Sequence, residues 1–127
     1  MLLGKKKRHF IFFIQDSEYD TIKSDRCFNL STRRSKYKIG ADDQILIALQ
    51  KGENEKRVVA EYEATAVKKI DKGILIEMEP IYQAPPKNGL RIDDFIKLSI
   101  KTELKEGKAV IEVTESEFIM MASRLVR

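Results

Sequence analysis

The stretch QILIALQKGENEKRVVAEYEATA, residues 44–66, decides the fold because it contains two alternating segments joined by a polar one. In the first segment Ile45, Ile47 and Leu49 occupy every second position. Residues 51–56 are polar and contain a glycine, which is typical of a hairpin loop. In the second segment, the residues predicted to share one face are Val58, Ala60, Tyr62, Ala64 and Ala66. A period of two indicates strands, so this stretch predicts an antiparallel sheet.

The residues before this hairpin predict a strand, a helix and a loop. The stretch HFIFFIQ, residues 9–15, is aromatic and β-branched, which favours a buried central strand. Asp16 or Ser17 is the predicted cap of a short helix that buries Tyr19 and Ile22. Residues 27–38 have no periodicity and predict an exposed loop, and residues 39–43 predict a turn into the next strand.

The residues after the hairpin predict one more antiparallel strand, a short helix and a final strand that leads into a closing helix. Ile74, Ile76 and Met78 predict the inward face of a strand over residues 74–79. Prolines exclude a central strand or helix interior between residues 80 and 86. Asp93 or Asp94 is the predicted start of a short helix that ends near Ile100. Residues 109–113 predict the last strand.

A capping box predicts the closing helix. Thr114 and Glu117 have the spacing of a cap residue and its partner three positions later. The apolar residues that follow recur at helical spacing and predict a core-facing stripe of Phe118, Met121, Ala122 and Leu125.

These elements predict the fold class α+β, as a small mixed, mostly antiparallel β-barrel of about five strands with two or three short helices. The chain has 127 residues and no linker or repeat divides it. We therefore expect a basic N-terminal tail over residues 1–8 and one domain over residues 9–127.

Composition excludes several classes of function. A single cysteine, Cys27, permits no intramolecular disulfide, and a single histidine, His9, leaves the usual zinc spacings absent. The six glycines stand singly, so the chain has no glycine-rich phosphate loop. The longest apolar run, residues 10–14, is far too short to span a bilayer. We expect a cytoplasmic, soluble protein with no cofactor, no metal and no membrane partner.

Positive charge is concentrated near the N-terminus. Residues 1–38 hold ten Lys or Arg and four Asp or Glu, a net charge of +6, whereas residues 39–127 carry a net charge of −2. Eight of these ten cations lie in two basic segments, Lys5–Arg8 and Arg33–Lys38. Clusters of this kind attract phosphate backbones through counterion release, so RNA or DNA is the expected partner.

Four segments together resemble a known family. They are FFIQ (residues 12–15) followed by residues 19–22, IKSDRCFNLS (22–31), YKIGADDQILI (37–47) and RVVAEYEAT (57–65). In order and spacing they are similar to the PUA-like superfamily and, within it, to the EVE and YTH branches. The resemblance implies a small mixed barrel with a pocket that accepts an unpaired nucleobase, often a methylated one.

The resemblance also implies roles for individual residues. Phe28 would stack on the base, and Asn29 and Ser31 would read its polar edge. The candidates for a second wall are Tyr37, Tyr62 and Tyr82, although alternation along its strand predicts that Tyr62 points into the core. The phosphate contacts would be Arg33, Arg34, Lys36 and Lys38. The alternative is structural: Phe28 closes the barrel end, and Asn29 belongs to a turn.

Two other functions stay open at this point. The related ASCH branch includes enzymes that act on modified nucleosides, with a lysine, a hydroxyl residue and a glutamate. Here the matching residue types are Lys23, Thr21 or Ser24, and Glu61 or Glu63. The third reading is a protein-interaction module with a partner protein or a second copy of the chain. A non-catalytic nucleic-acid reader is the preferred function.

Overall fold

The computed structural model describes residues 7–31, 39–51, 55–84, 89–91 and 109–125. In chain order the elements are β1 (His9–Ile14), α1 (Asp16–Asp25), β2 (Cys27–Ser31), β3 (Gln44–Lys51), β4 (Glu55–Ile70), β5 (Gly73–Gln83), β6 (Leu90–Arg91), β7 (Val110–Val113) and α2 (Glu115–Leu125). Among these residues, no helix has the length and apolar character that a membrane crossing requires.

All the described strands belong to one curled sheet, in the order β2-β5-β4-β3-β1-β7, with β6 paired to β4. Among the strands in the described ranges, β1 and β3 pair in parallel and the other pairs are antiparallel. The mixed, mostly antiparallel α+β prediction is confirmed. The predicted number of about five strands is wrong, because the described part of the chain forms seven.

Two apolar clusters stabilise the sheet, one on each face. The inner cluster contains the inward side chains of β1, β3, β4 and β5, together with Tyr19 and Ile22 of α1. The outer cluster lies between the opposite face of β1, β3, β4 and β7 and the helix α2. Burial of both faces explains why residues 45–49 are apolar without interruption, as is typical of central strands.

A β-bulge in β4 changes which of its side chains share a face, compared with the prediction. The pairing changes from Ile47↔Ala60 to Ala48↔Val58, so Val59 has no partner on β3. The extra residue turns Val58 to the outer cluster, while Val59 and Ala60 both pack in the inner one. The prediction that Val58 and Ala60 share a face is therefore wrong.

The N-cap of helix α1 lies one residue before the first predicted position. The cap is Gln15, not Asp16 or Ser17, and the backbone N–H of Gln15 donates to Glu18 Oε1 at 3.1 Å. The C-cap of the helix is Arg26, which adopts the left-handed conformation with φ 54° and donates its N–H to the Ile22 carbonyl. This end of the helix leads directly into β2.

Strand β5 continues through Pro80, beyond its predicted end at Glu79. Strand β2 pairs with β5 only from Gly73 to Glu77. At Pro80, β5 therefore has no β2 neighbour that would require a backbone N–H as hydrogen-bond donor. The register on β4 also shifts here, with Ile81 left unpaired between Pro80 and Tyr82. A proline fits at such an edge and bulge. Pro85, Pro86 and the helix predicted from Asp93 or Asp94 lie outside the described residues.

The predicted strand and helix at the C-terminal end are confirmed. Strand β7 occupies Val110–Val113, and α2 buries Phe118, Met121 and Leu125. The capping box is also present: Glu117 N–H donates to Thr114 Oγ1 at 3.1 Å, and Thr114 N–H donates to Glu117 Oε1 at 2.9 Å.

Thr114→Ala is expected to lower the free energy of unfolding by about 1 kcal/mol, because the first turn of α2 loses an acceptor for a backbone N–H. Urea unfolding followed by circular dichroism measures the loss. Thr21→Ala is the matched control, since its hydroxyl only donates to the Ser17 carbonyl within α1. Equal stabilities of the two variants would show that the cap contributes nothing.

Candidate nucleic-acid interface

Residues 27–31 form a strand rather than the predicted exposed loop, and this changes the position of Phe28. Phe28 pairs with Ile76 of β5 and points into the inner cluster, where it is 5% exposed. Its ring centroid lies 5.7 Å from that of Phe12, tilted by 44°. Phe28 is therefore a core residue, in agreement with the structural alternative and not with a stacking ring on an open rim.

Asn29 and Ser31 lie on the opposite face of β2 from Phe28. Strand alternation turns Asn29 outward, where it is exposed beside Leu75, and places half-buried Ser31 beside Gly73. Phe28 and Asn29 therefore do not line one pocket. Both polar side chains remain available at the surface, at the end of β2 that leads into the second basic segment.

The remaining predicted contact residues lie outside the described part of the chain. They are Arg33, Arg34, Tyr37, Lys36 and Lys38. The chain is described again at Ile39 and Gly40, directly after the second basic segment. The first basic segment is described at its end, where Lys7 is exposed and Arg8 is half-buried.

One buried carboxylate joins the main chain at Arg8 to the main chain at Gly40. Asp43 is 1% exposed. Its Oδ1 accepts the backbone N–H of Arg8 at 3.1 Å, and its Oδ2 accepts the backbone N–H of Gly40 at 2.7 Å. The main chain at Arg8 and the main chain at Gly40, which are far apart in the sequence, therefore lie close together at the start of β3.

The side chain of Arg8 is already engaged with the protein. Its guanidinium contacts Glu112 on β7 through two hydrogen bonds, Nη2 to Oε1 at 3.1 Å and Nε to Oε2 at 3.2 Å. The same group lies 4.9 Å above the Phe10 ring. This two-point contact makes Arg8 a structural residue and leaves Lys5, Lys6 and Lys7 as the other cations of its segment.

A hollow lies elsewhere, where the C-terminal end of α1 meets β2, β4 and β5. Its volume is about 360 Å³, and its lining includes Cys27, Leu75 and Met78. The charged lining residues are three carboxylates, Asp25, Glu77 and Glu79, and one guanidinium, Arg26, whose Nη1 lies 3.4 Å from Glu79 Oε2. The excess of negative charge repels phosphate, so this hollow does not fit a base on a nucleic-acid chain.

The residues of the enzyme alternative lie on opposite sides of the sheet. Lys23 is on α1, which packs against the inner cluster, and its Nζ contacts Asp20 at 3.5 Å and the Tyr19 ring at 4.7 Å. Thr21 and Ser24 donate their hydroxyls to carbonyls of the same helix. Glu61 and Glu63 alternate with inward-facing Tyr62 and so lie on the outer face.

Burial, and secondarily the nearby Glu63 charge, raises the pKa of Glu61. The raised pKa of Glu61 therefore comes from burial and from Glu63. The described contacts of Glu61 and Lys23 do not bring the two groups together. The ASCH-like arrangement is therefore not assembled by these residues.

The buried rings of the inner cluster are also structural. Burial, with a smaller contribution from Tyr62, raises the pKa of Tyr19 to about 12. Burial likewise raises the pKa of Tyr62, against the opposing effects of its hydrogen bond with Gln83 and of Arg26. The Tyr62 hydroxyl accepts a 2.6 Å hydrogen bond from Gln83 Nε2. Both phenols are neutral at physiological pH, which suits a hydrogen-bonded core.

Asp43 is a buried, hydrogen-bonded carboxylate that the sequence analysis did not single out. The signal was present, because an aspartate after a glycine turn and before an apolar strand is a typical acceptor for nearby backbone N–H groups. The sequence pattern of residues 39–43 predicts only a turn.

Comparisons with known proteins assign no family. No protein-family model matches the chain, and no curated protein matches its sequence significantly.

Proposed function

We propose that the chain is a non-catalytic nucleic-acid-binding module that contacts an RNA or DNA strand through its two basic segments. The observation that supports this proposal best is the contact of Asp43 with the backbone at Arg8 and Gly40. It brings the main chain at Arg8, the last residue of Lys5–Arg8, close to the main chain at Gly40, which follows Lys38 by two residues in the sequence. This proximity supports the proposal that the charges of both segments act on one region of a ligand.

The expected source of affinity is electrostatic. Seven cations of the two segments are outside the Arg8–Glu112 contact: Lys5, Lys6, Lys7, Arg33, Arg34, Lys36 and Lys38. Each cation that neutralises a phosphate releases counterions, and this contribution does not depend on base sequence. Affinity is therefore expected to vary little among sequences and strongly with salt.

Any base preference comes from residues next to the second basic segment. Asn29 and Ser31 offer polar groups on the outer face of β2, and Tyr37 is the aromatic residue within the segment. Since Phe28 packs in the core, stacking on a base falls to Tyr37 in this proposal. Reading of a modified base, and the PUA-like, EVE-like relationship that implies it, remain part of the proposal.

The test is fluorescence anisotropy of a labelled single-stranded RNA 12-mer, and of its duplex, titrated with the protein at about 0.1 M salt. We expect saturable binding of the single strand with a Kd between about 1 and 100 μM, the range of non-specific nucleic-acid binding. Absence of binding to both probes at about 1 mM protein would contradict the proposal.

A further inference from the structure

Helix α2 carries apolar side chains on its outward face as well as on its buried face. Phe118, Met121 and Leu125 pack in the outer cluster, whereas Ile119 is 55% exposed and Met120 is 39% exposed. These two consecutive residues are among the few large apolar side chains that are exposed in the described part of the chain. A helix that is apolar on both faces is typical of one that is covered on both faces.

Two serines extend the exposed apolar pair along the helix. Successive helical residues are about 100° apart, which places four exposed residues in one stripe opposite the buried face. We call it the α2 stripe, and its members are Ser116, Ile119, Met120 and Ser123. Their spacing of three, four and seven residues is that of a helix-packing seam. The small serines at both ends allow a second helix to approach closely.

The α2 stripe is symmetric about its midpoint, between Ile119 and Met120. In an antiparallel pair of α2 helices with a two-fold axis at that midpoint, Ser116 faces Ser123 of the second copy. Ile119 lies beside Ile119 of the second copy, close to the axis, and Met120 likewise lies beside its counterpart. A surface that is complementary to itself in this way suits a contact between two identical chains.

The charges of α2 favour the antiparallel direction. The first turn contains Glu115 and Glu117, and the last turn contains Arg124. In the antiparallel pair, Glu117 and Arg124 of the second copy lie on the same flank, about 3 Å apart along the helix axis. A parallel pair would instead place the two acidic turns together, where like charges repel. The opposed helix dipoles of the antiparallel pair act in the same direction.

We propose that α2 is a self-association surface, through which two copies of the chain pair antiparallel about a two-fold axis between Ile119 and Met120. This inference is independent of nucleic-acid binding, since none of the predicted contact residues lies on α2. One helix of 11 residues from each copy makes a small interface. The dimer is therefore weak, with an expected Kd of about 100 μM.

Sedimentation equilibrium of the full chain, from about 10 μM to about 1 mM protein, is expected to show a reversible monomer–dimer equilibrium. Ile119→Glu is expected to raise the Kd at least about tenfold, because two carboxylates then meet near the two-fold axis. Ile81→Glu is the matched control, since Ile81 on β5 is 54% exposed and receives the same change of charge. Its Kd is expected to stay within about twofold of the wild type.

Thermal unfolding followed by circular dichroism checks that both variants fold. Ile119→Ala is the second variant, and it is compatible with the helix because alanine has the highest helix propensity. It removes the side chain nearest to the axis without adding a charge, so the Kd is expected to rise about fivefold. This variant tests the inference if Ile119→Glu does not fold.

Disulfide crosslinking tests the direction of the pair, in a Cys27→Ser background that removes the native thiol. A mixture of Ser116→Cys and Ser123→Cys chains, treated with an added oxidant, is expected to form at least about fivefold more covalent dimer than either variant alone. The reason is distance: in the antiparallel pair, Ser116 faces Ser123 of the second copy. The two copies of Ser116 are about 10 Å apart along the axis, too far for a disulfide.

The outcomes that overturn the inference are distinct from failure of RNA binding. A chain that stays monomeric at about 1 mM protein does not self-associate through α2, and the stripe would then belong to a different partner. Equal effects of folded Ile119→Glu and Ile81→Glu would place self-association elsewhere on the surface. Crosslinks formed mainly between identical variants would contradict the antiparallel arrangement.

Discussion

Phe28→Ala is expected to lower the free energy of unfolding by about 3–5 kcal/mol, the usual range when a buried phenylalanine is truncated. The ring is 5% exposed, contacts Phe12 and lies in the inner cluster, so its removal leaves a cavity between β2 and β1. Urea unfolding of the wild type and the variant measures the difference.

Asn29→Ala is the control for this variant, because Asn29 is the next residue of β2 and points to the opposite face. Its stability is expected to stay within about 0.5 kcal/mol of the wild type, as for other exposed substitutions. The RNA affinity of Phe28→Ala, measured where the variant is folded, is expected to change less than about twofold. A variant of wild-type stability that has lost base preference would contradict the core position of Phe28.

Removing the charge of the second basic segment is expected to reduce RNA affinity about 100-fold at about 0.1 M salt. The variant is Arg33→Gln, Arg34→Gln, Lys36→Gln and Lys38→Gln together. The physical reason is the loss of four phosphate contacts and of their counterion release. Anisotropy titration of the single-stranded 12-mer measures the change.

A second variant with the same change of net charge shows whether position matters. It replaces by Gln four exposed lysines of described elements and turns: Lys23, Lys68, Lys69 and Lys72. Two of them pair with carboxylates, Lys23 with Asp20 and Lys68 with Glu77. We expect this variant to lose less than about fivefold in affinity, because only long-range attraction is weakened. Equal losses in the two variants would mean that net charge alone, and no local site, determines binding.

The sequence predicts those elements whose local pattern agrees with their environment. Residues 9–15 and the capping box at Thr114 carry clear signals, and both predictions are confirmed. Strand β2 was missed because it is short and directly follows a helix. Pairing with β5 over Gly73–Glu77, which is distant in sequence, determines its structure. The bulge at Val59 was missed because apolar residues on both sides of it fit either face.

The site was predictable only in its composition. The cations and the polar residues Asn29 and Ser31 can be identified from the sequence, but their arrangement depends on tertiary contacts. One residue of strand alternation separates Phe28 from Asn29, and a loop prediction cannot assign them to opposite faces. The contact of Asp43 with Arg8 requires the parallel pairing of β1 with β3, which hydrophobic periodicity does not reveal.

The most direct test of nucleic-acid binding through the basic segments is the salt dependence of RNA affinity for the unmodified chain. Each phosphate contact to a single strand contributes about −0.7 to the slope of log K against log salt. If the seven cations of the two basic segments other than Arg8 contact phosphates, the account predicts a slope between about −3 and −5 from 50 to 300 mM salt. A slope weaker than about −1, or no binding at the lowest salt, would contradict it.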